Sequence, residues 1–188
     1  MKVDIKDKEA NKDNLENNAD NIEAFSAKVN HYHIPRWKEL PDFELYMDQI
    51  LGFLEKHTEI FGTPDGEKLI TNSMINNYVK LGLIKAPMKK KYNRNHVASL
   101  IMITILKKVL SMNEIKEAIF HCSNKLGEEA SYNLFCEELE MSMVESLQEL
   151  SEEVPAFKVA TKALSSKVMA EKIIEENSKT YMNKKKNK

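Results

Sequence analysis

The chain has 188 residues, 42% of them hydrophobic, with five Gly, five Pro and two Cys. That is enough to bury the core of one domain, too little Gly and Pro for a collagen-like or low-complexity chain, and too few Cys for a disulfide framework or a four-cysteine zinc site. The net charge of −1 averages over segregated charge: residues 68–116 hold ten Lys/Arg against a single acid, Glu114, while 31–67 carry −5 and 117–176 carry −8.

Residues 1–33 read as a polar arm, partly disordered, with few apolar anchors. Its first 20 residues lack the apolar segment of a secretory signal. The longest mostly apolar stretch, Val97–Leu110, has 10 apolar positions in 14 and includes Lys107 and Lys108. It is too short to cross a bilayer, so a reduced cytoplasm is the expected compartment. His31–Pro41, with two Pro and the single Trp, reads as an extended entry segment whose aromatics pack on the domain. Asp42 is expected to cap a helix in which Phe43, Tyr46, Met47, Ile50, Leu51 and Leu54 recur at helical spacing to about Phe61. The cluster Gly62–Gly66 marks a turn.

Thr71 opens a second helix of about three turns, with Met74, Ile75, Tyr78 and Val79 apolar and Gly82 placed to end it. Leu83–Tyr92 predicts a small β-hairpin or an irregular wing, with Pro87 at its tip. Asn93 caps the Val97–Leu110 helix, whose apolar residues nearly encircle it and predict a central position. Ser111 and Glu114 have the spacing of a capping box and start a helix through Ile115, Ile119 and Cys122.

Beyond Gly127, Tyr132, Phe135, Cys136, Leu139 and Met143 form one stripe, with Glu137, Glu138, Glu140 and Glu145 on the opposite, solvent face. Pro155 opens a last helix bearing the small residues Ala156, Ala160, Ala163 and Ala170, a stripe that permits close helix approach. These helices are expected to be short and interrupted at Gly127. Asn183–Lys188 reads as a basic, disordered tail. The fold class is therefore all-α with one small wing.

The basic segment carries the chemistry. Thr71, Asn72, Ser73, Asn76 and Asn77 are short polar side chains on or at the start of one helix, and Asn, Ser and Thr are residue types that read base edges. Lys80, Lys85, Lys89, Lys90, Lys91, Tyr92 and Arg94 follow at once and are suited to hold phosphates without reading sequence. A polar recognition helix followed by a basic wing is the physical logic of a winged helix-turn-helix. His31 and His33 form a possible metal pair with no third ligand near in sequence, and read as loop histidines. His121-Cys122 and Cys136 read as structural residues with buried thiols. No phosphate-binding Gly loop, nucleophile elbow or zinc-protease motif occurs, so no cofactor, no metal and no enzyme activity are expected.

Residues Thr71–Ile119 resemble the DNA-binding domain of MerR-type regulators. The cap Thr71, the aromatic Tyr78, the turn Gly82-Leu83-Ile84, the wing end Lys91-Tyr92 and the later Leu100, Ile103, Leu106 and Glu114-Ile115-Lys116 carry the likeness. Asn76 stands where that family usually has Arg, and Val79 where it has Glu. A more specific resemblance, over about residues 34–145, is to an uncharacterised MerR-like family of low-GC Gram-positive bacteria. It rests on Arg36-Trp37-x-Glu39-Leu40-Pro41, Tyr46-Met47-Asp48-Gln49, Met74–Lys80 and Lys89-Lys90-Lys91-Tyr92.

These resemblances imply a winged helix-turn-helix domain over 34–120, an acidic helical extension over 121–182 able to form a homodimer, and the tail 183–188. The implied function is transcriptional regulation through double-stranded DNA. The alternative is a protein–protein adaptor that keeps the winged scaffold without DNA affinity.

Overall fold

The structure, a computed structural model, describes residues 21–62, 65–150 and 155–186; residues 1–20, 63–64, 151–154 and 187–188 lie outside it, as do the side chains of 148–150 and 184–186. Much of the polar arm, the middle of the turn cluster and the end of the basic tail therefore fall outside the described residues. Those that are described form seven α-helices and no strand. Residues 21–30 form α1, which buries Val29. Then come α2 (Met47–Thr58), α3 (Asn72–Lys80), α4 (Arg94–Leu106), α5 (Met112–Leu126), α6 (Glu128–Leu150) and α7 (Ala156–Lys186).

α4 is the centre of the domain. Nine of its 13 residues are buried, because a helix with apolar side chains all round must be enclosed on every side. α2, α5 and α6 pack against it. Asn93 caps it, accepting the His96 N–H at 3.2 Å. The helix stops at Leu106, four residues earlier than the apolar run, and Lys107–Leu110 turn away. The turn is held by Lys107, whose ammonium bonds the Leu69 carbonyl and reaches the Met74 sulfur at 3.6 Å.

α2 starts at Met47 and not at Asp42. The residues before it are held extended by an antiparallel bridge in which Leu45 and Tyr92 exchange two backbone hydrogen bonds of 2.8 Å. Phe43 and Tyr46 are consequently exposed instead of lying in the helix stripe. The helical run does reach Phe61, through a 3-10 turn over Glu59–Phe61.

The loop after α3 also departs from expectation. The tip is Lys89-Lys90, both in the left-handed region (φ 49° and 62°), and not Pro87. The Lys91 N–H closes the turn on the Met88 carbonyl at 2.9 Å, as in the primed two-residue turns of hairpins. Only the isolated bridges Met88–Lys91 and Leu45–Tyr92 form, so this loop holds no β-strand. Pro87 has no N–H to extend the ladder.

The capping signals at Thr71, Asn93 and Ser111 are realised as read. The Ser111 hydroxyl accepts the Glu114 N–H and the Glu114 carboxylate accepts the Ser111 N–H, the reciprocal bonds of a capping box at the start of α5. Gly127, with φ 87°, separates α5 from α6. The helices beyond it are long, not short: α6 has 23 residues and α7 has 31. α5 is continuous through residues 120–121.

α6 holds the entry segment. The Tyr132 hydroxyl donates to the Pro35 carbonyl at 2.8 Å, and the Asn133 side-chain oxygen accepts the Trp37 N–H at 2.9 Å. The Trp37 ring meets that of Tyr132 edge-on. Glu140, expected on the solvent face, is turned inward instead: it accepts two bonds from Arg36 and one from the Ile34 N–H.

The second half of α7 rests on α5, through Ile174, a Ser178–Glu117 bond of 2.8 Å and Tyr181 against Phe120. Residues 156–169 are exposed throughout. The small-residue stripe therefore makes no close helix approach within the chain at Ala156, Ala160 and Ala163. The basic end is not a disordered tail up to 186, since α7 continues to Lys186.

Candidate nucleic-acid interface

α3 is short, and both of its ends are set by local chemistry. The Thr71 hydroxyl accepts the Met74 N–H at 3.3 Å, satisfying one free donor of the first turn. At the far end Gly82 adopts φ 65°. Its N–H bonds the Val79 carbonyl and the Leu83 N–H bonds the Tyr78 carbonyl, at 3.0 and 2.9 Å, which is a Schellman cap. Ile75 and Tyr78 point into the core. Helical periodicity then places Asn72, Ser73, Asn76, Asn77 and Lys80 together on the opposite face, and all five are exposed.

Thr71 is half-buried and its hydroxyl is committed to the cap. Thr71→Val, which keeps the shape and removes the oxygen, is expected to lower stability by about 1 kcal/mol. A shift of the urea midpoint without a change in slope would measure it; an unchanged midpoint would remove the capping role.

The basic residues divide. Lys85, Lys89 and Lys90 are exposed, and their ammonium groups make no ion pair among the described residues. Lys91 is half-buried, lies 3.7 Å from Glu44 and sits over the Tyr46 ring at 5.6 Å. Two predicted phosphate contacts are corrected. Tyr92 is 2% exposed, its ring packed edge-on against His96, and burial raises its phenol pKa. Arg94 is half-buried and donates inward to the Leu40 carbonyl at 3.1 Å, with its Nε buried and unpartnered. The Tyr92 side chain is closed off from solvent, and the Arg94 guanidinium is partly committed inward. The Leu45–Tyr92 bridge draws the end of this loop into the core.

A feature the sequence did not reveal lies beside the start of α3. Asp48 and Glu55 of α2 line the same shallow depression as Thr71, Asn72 and Ser73. Glu55 is paired with Lys68 at 2.9 Å, and both are exposed. Asp48 and Glu55 lie two helical turns apart on one face of α2, but nothing in that spacing says what they face. Their charge opposes phosphate at this end of the helix.

The remaining candidates separate. His31 bonds the Ala27 carbonyl, and His33 lies between Glu39 and Glu140 at 2.9 and 3.4 Å. No three His, Cys, Asp or Glu side chains among the described residues are arranged to hold a metal ion. Cys136 is buried, and burial pushes its thiol pKa up to about 11; Cys122 is exposed, contrary to expectation. Among the described residues no helix is long and apolar enough to cross a membrane.

The architecture is thus an all-helical domain with a short polar helix and a lysine-tipped loop on its surface. Residues 35–141 match the family described as Domain of unknown function (DUF1836), and the chain belongs to that family. The matched span runs from the entry segment to α6 and includes both Arg36 and Glu140. No curated protein and no solved structure matches the chain.

Proposed function

We propose that this protein binds double-stranded DNA as a transcriptional regulator, with 71–92 serving as the recognition helix and wing of a MerR-like winged helix-turn-helix. One observation carries the reading. Five exposed polar side chains, Asn72, Ser73, Asn76, Asn77 and Lys80, share the solvent face of α3, and the loop that follows displays Lys85, Lys89 and Lys90 without acidic partners among the described residues. In this reading α3 enters the major groove and the three lysines hold backbone phosphates. Dimerisation through the C-terminal helices would pair two such modules. The exposed half of α7, where Phe157 is 84% and Leu164 62% exposed, is the surface available for it. A cytoplasmic location goes with this reading.

The test is retention of random duplex DNA at low and near-physiological salt, followed by sequencing of the retained pool. A salt-dependent affinity with an enriched motif is expected. Lys89→Ala/Lys90→Ala is expected to weaken binding to all sequences and to flatten the log–log salt slope by about 2. Asn77→Ala is expected to reduce discrimination while leaving weak binding in place. An unchanged salt slope in the double variant would remove the loop from the contact surface.

The adaptor reading has its own observation, the carboxylates of Asp48 and Glu55 beside the start of α3. It predicts no retention of duplex DNA even at low salt, and a protein partner at the basic loop.

A further inference from the structure

The first half of α7 and the outer face of α6 are both uncovered, and their chemistry is complementary. Ile174, Ser178 and Tyr181 dock the second half of α7 on α5. The helix is continuous over Ala156–Lys186, so the docked half fixes the axis along which the first half runs. Phe157, Leu164 and Val168 recur there at seven- and four-residue spacing, share one face and are all exposed. A lone helical segment of about four turns has little stability in water, and large apolar side chains lined up on it mark a contact surface. Lys158, Lys162 and Lys167 are the only charged residues in 156–170.

α6 offers the counterpart. It contains seven Glu and no Lys or Arg. Tyr132, Cys136 and Glu140 face the domain. On the outer face Leu134, Glu137, Glu138, Met141, Val144 and Glu145 recur at three- and four-residue spacing and form one stripe. All six are exposed, and the three carboxylates make no ion pair among the described residues. This stripe runs from 134 to 145 and the α7 stripe from 157 to 168. The two are therefore equal in length, about 17 Å each at the rise of an α-helix.

We propose that a second copy of this chain occupies both stripes: the first half of α7 packs on the outer face of α6 of its partner, and the partner returns the contact in a two-fold symmetric dimer. The apolar side chains supply the affinity, and the charges decide which helices pair. Pairing α7 with α7 sets the lysines of one copy against those of the other, with no acid in 156–170 to separate them. Pairing α6 with α6 sets carboxylates against carboxylates. Only the mixed contact brings opposite charges together. It gives the homodimer of the DNA-binding reading its interface, and it rests on the two surfaces and not on DNA.

Sedimentation equilibrium of the full chain is expected to give twice the chain mass at tens of micromolar. Phe157→Ser/Leu164→Ser on α7 and Met141→Ser/Val144→Ser on α6 are each expected to raise the dimer dissociation constant by about tenfold or more. Charge reversal supplies a control for folding. Lys167 lies 3.6 Å from Glu171 of its own helix, so the reversal uses Lys158 and Lys162. Lys158→Glu/Lys162→Glu and Glu138→Lys/Glu145→Lys are each expected to be monomeric alone. Mixed, they are expected to form a dimer of one chain of each kind, because every α7 then meets an α6 of opposite charge. A wild-type chain that is monomeric at these concentrations would overturn the interface. Dimerisation of the α6 variants at wild-type strength, or failure of the two reversed chains to combine, would overturn the pairing of α7 with α6. DNA is absent from every measurement. A dimer that retains no duplex counts against the DNA-binding reading alone, and a monomer that retains it counts against this interface alone.

Discussion

Glu140→Ala is expected to lower the stability of the fold by about 3 kcal/mol. The two carboxylate oxygens face the Arg36 guanidinium at 2.8 and 2.5 Å, in the parallel two-bond arrangement that makes Arg–carboxylate pairs strong. The side chains are 20% and 25% exposed, so solvent screens them less than a surface pair. The Ile34 N–H adds a third bond at 2.7 Å. Truncating Glu140 leaves a half-buried cation and a buried backbone donor without these acceptors; the guanidinium keeps its bond to the Ile34 carbonyl at 2.9 Å. Arg36→Ala is expected to cost a similar amount. The double variant is expected to cost clearly less than the sum, because each single change already breaks the pair. Urea midpoints measure all three, and a loss under about 1 kcal/mol in both single variants would reduce the contact to an ordinary surface ion pair.

The same residue sets a pH dependence. Burial pushes the Glu140 carboxyl pKa up, but the bonds from Arg36 and Ile34 and the Arg36 charge outweigh it, and the net value lies below the ordinary 4.5. A carboxyl held low in the folded state contributes stability that is complete above its unfolded value and is lost as pH falls through the folded one. The stability gap between the wild type and Glu140→Gln is therefore expected to be full at neutral pH and to narrow below about pH 4.5. A gap independent of pH over that range would show that the charge of Glu140 is not what stabilises the contact.

Leu100→Ala is expected to cost about 3–5 kcal/mol, the range for a fully buried leucine whose surroundings do not collapse. Leu100 is completely buried on α4, and the helix is covered by α2, α5 and α6. Helices packed on α4 collapse into a gap less readily than a loop, so transfer and cavity costs both apply. Val109, 49% exposed in the turn after α4, is the control: Val109→Ala is expected to change stability by less than about 0.5 kcal/mol. Chemical denaturation of both variants decides it. A Leu100→Ala loss below about 1.5 kcal/mol would mean that the core around α4 relaxes into the gap.

The candidate interface was half legible in the sequence. Polar residues at helical spacing on a capped helix were enough to place Asn72, Ser73, Asn76, Asn77 and Lys80 on one exposed face, and Lys85, Lys89 and Lys90 were exposed as expected. Tyr92 and Arg94 belong to the same basic run, but a run of polar residues does not say which of them the next tertiary contact will bury. The bridge from Leu45 takes Tyr92 inside, and the Leu40 carbonyl turns Arg94 inward. Both partners lie about fifty residues away in the chain.

By itself the sequence determined what depends on near neighbours: the caps at Thr71, Asn93 and Ser111, the stops at Gly82 and Gly127, and the centrality of α4, whose apolar residues leave no face for water. Each involves groups within one or two turns, and their energetics are the same in any fold. Tertiary structure alone decided where α2 begins and that Glu140 leaves the acidic face of α6 to hold Arg36. Those outcomes turn on partners tens of residues distant. A carboxylate at a given helical position costs nothing in water and gains strongly beside a half-buried guanidinium, and no periodicity along one helix distinguishes the two.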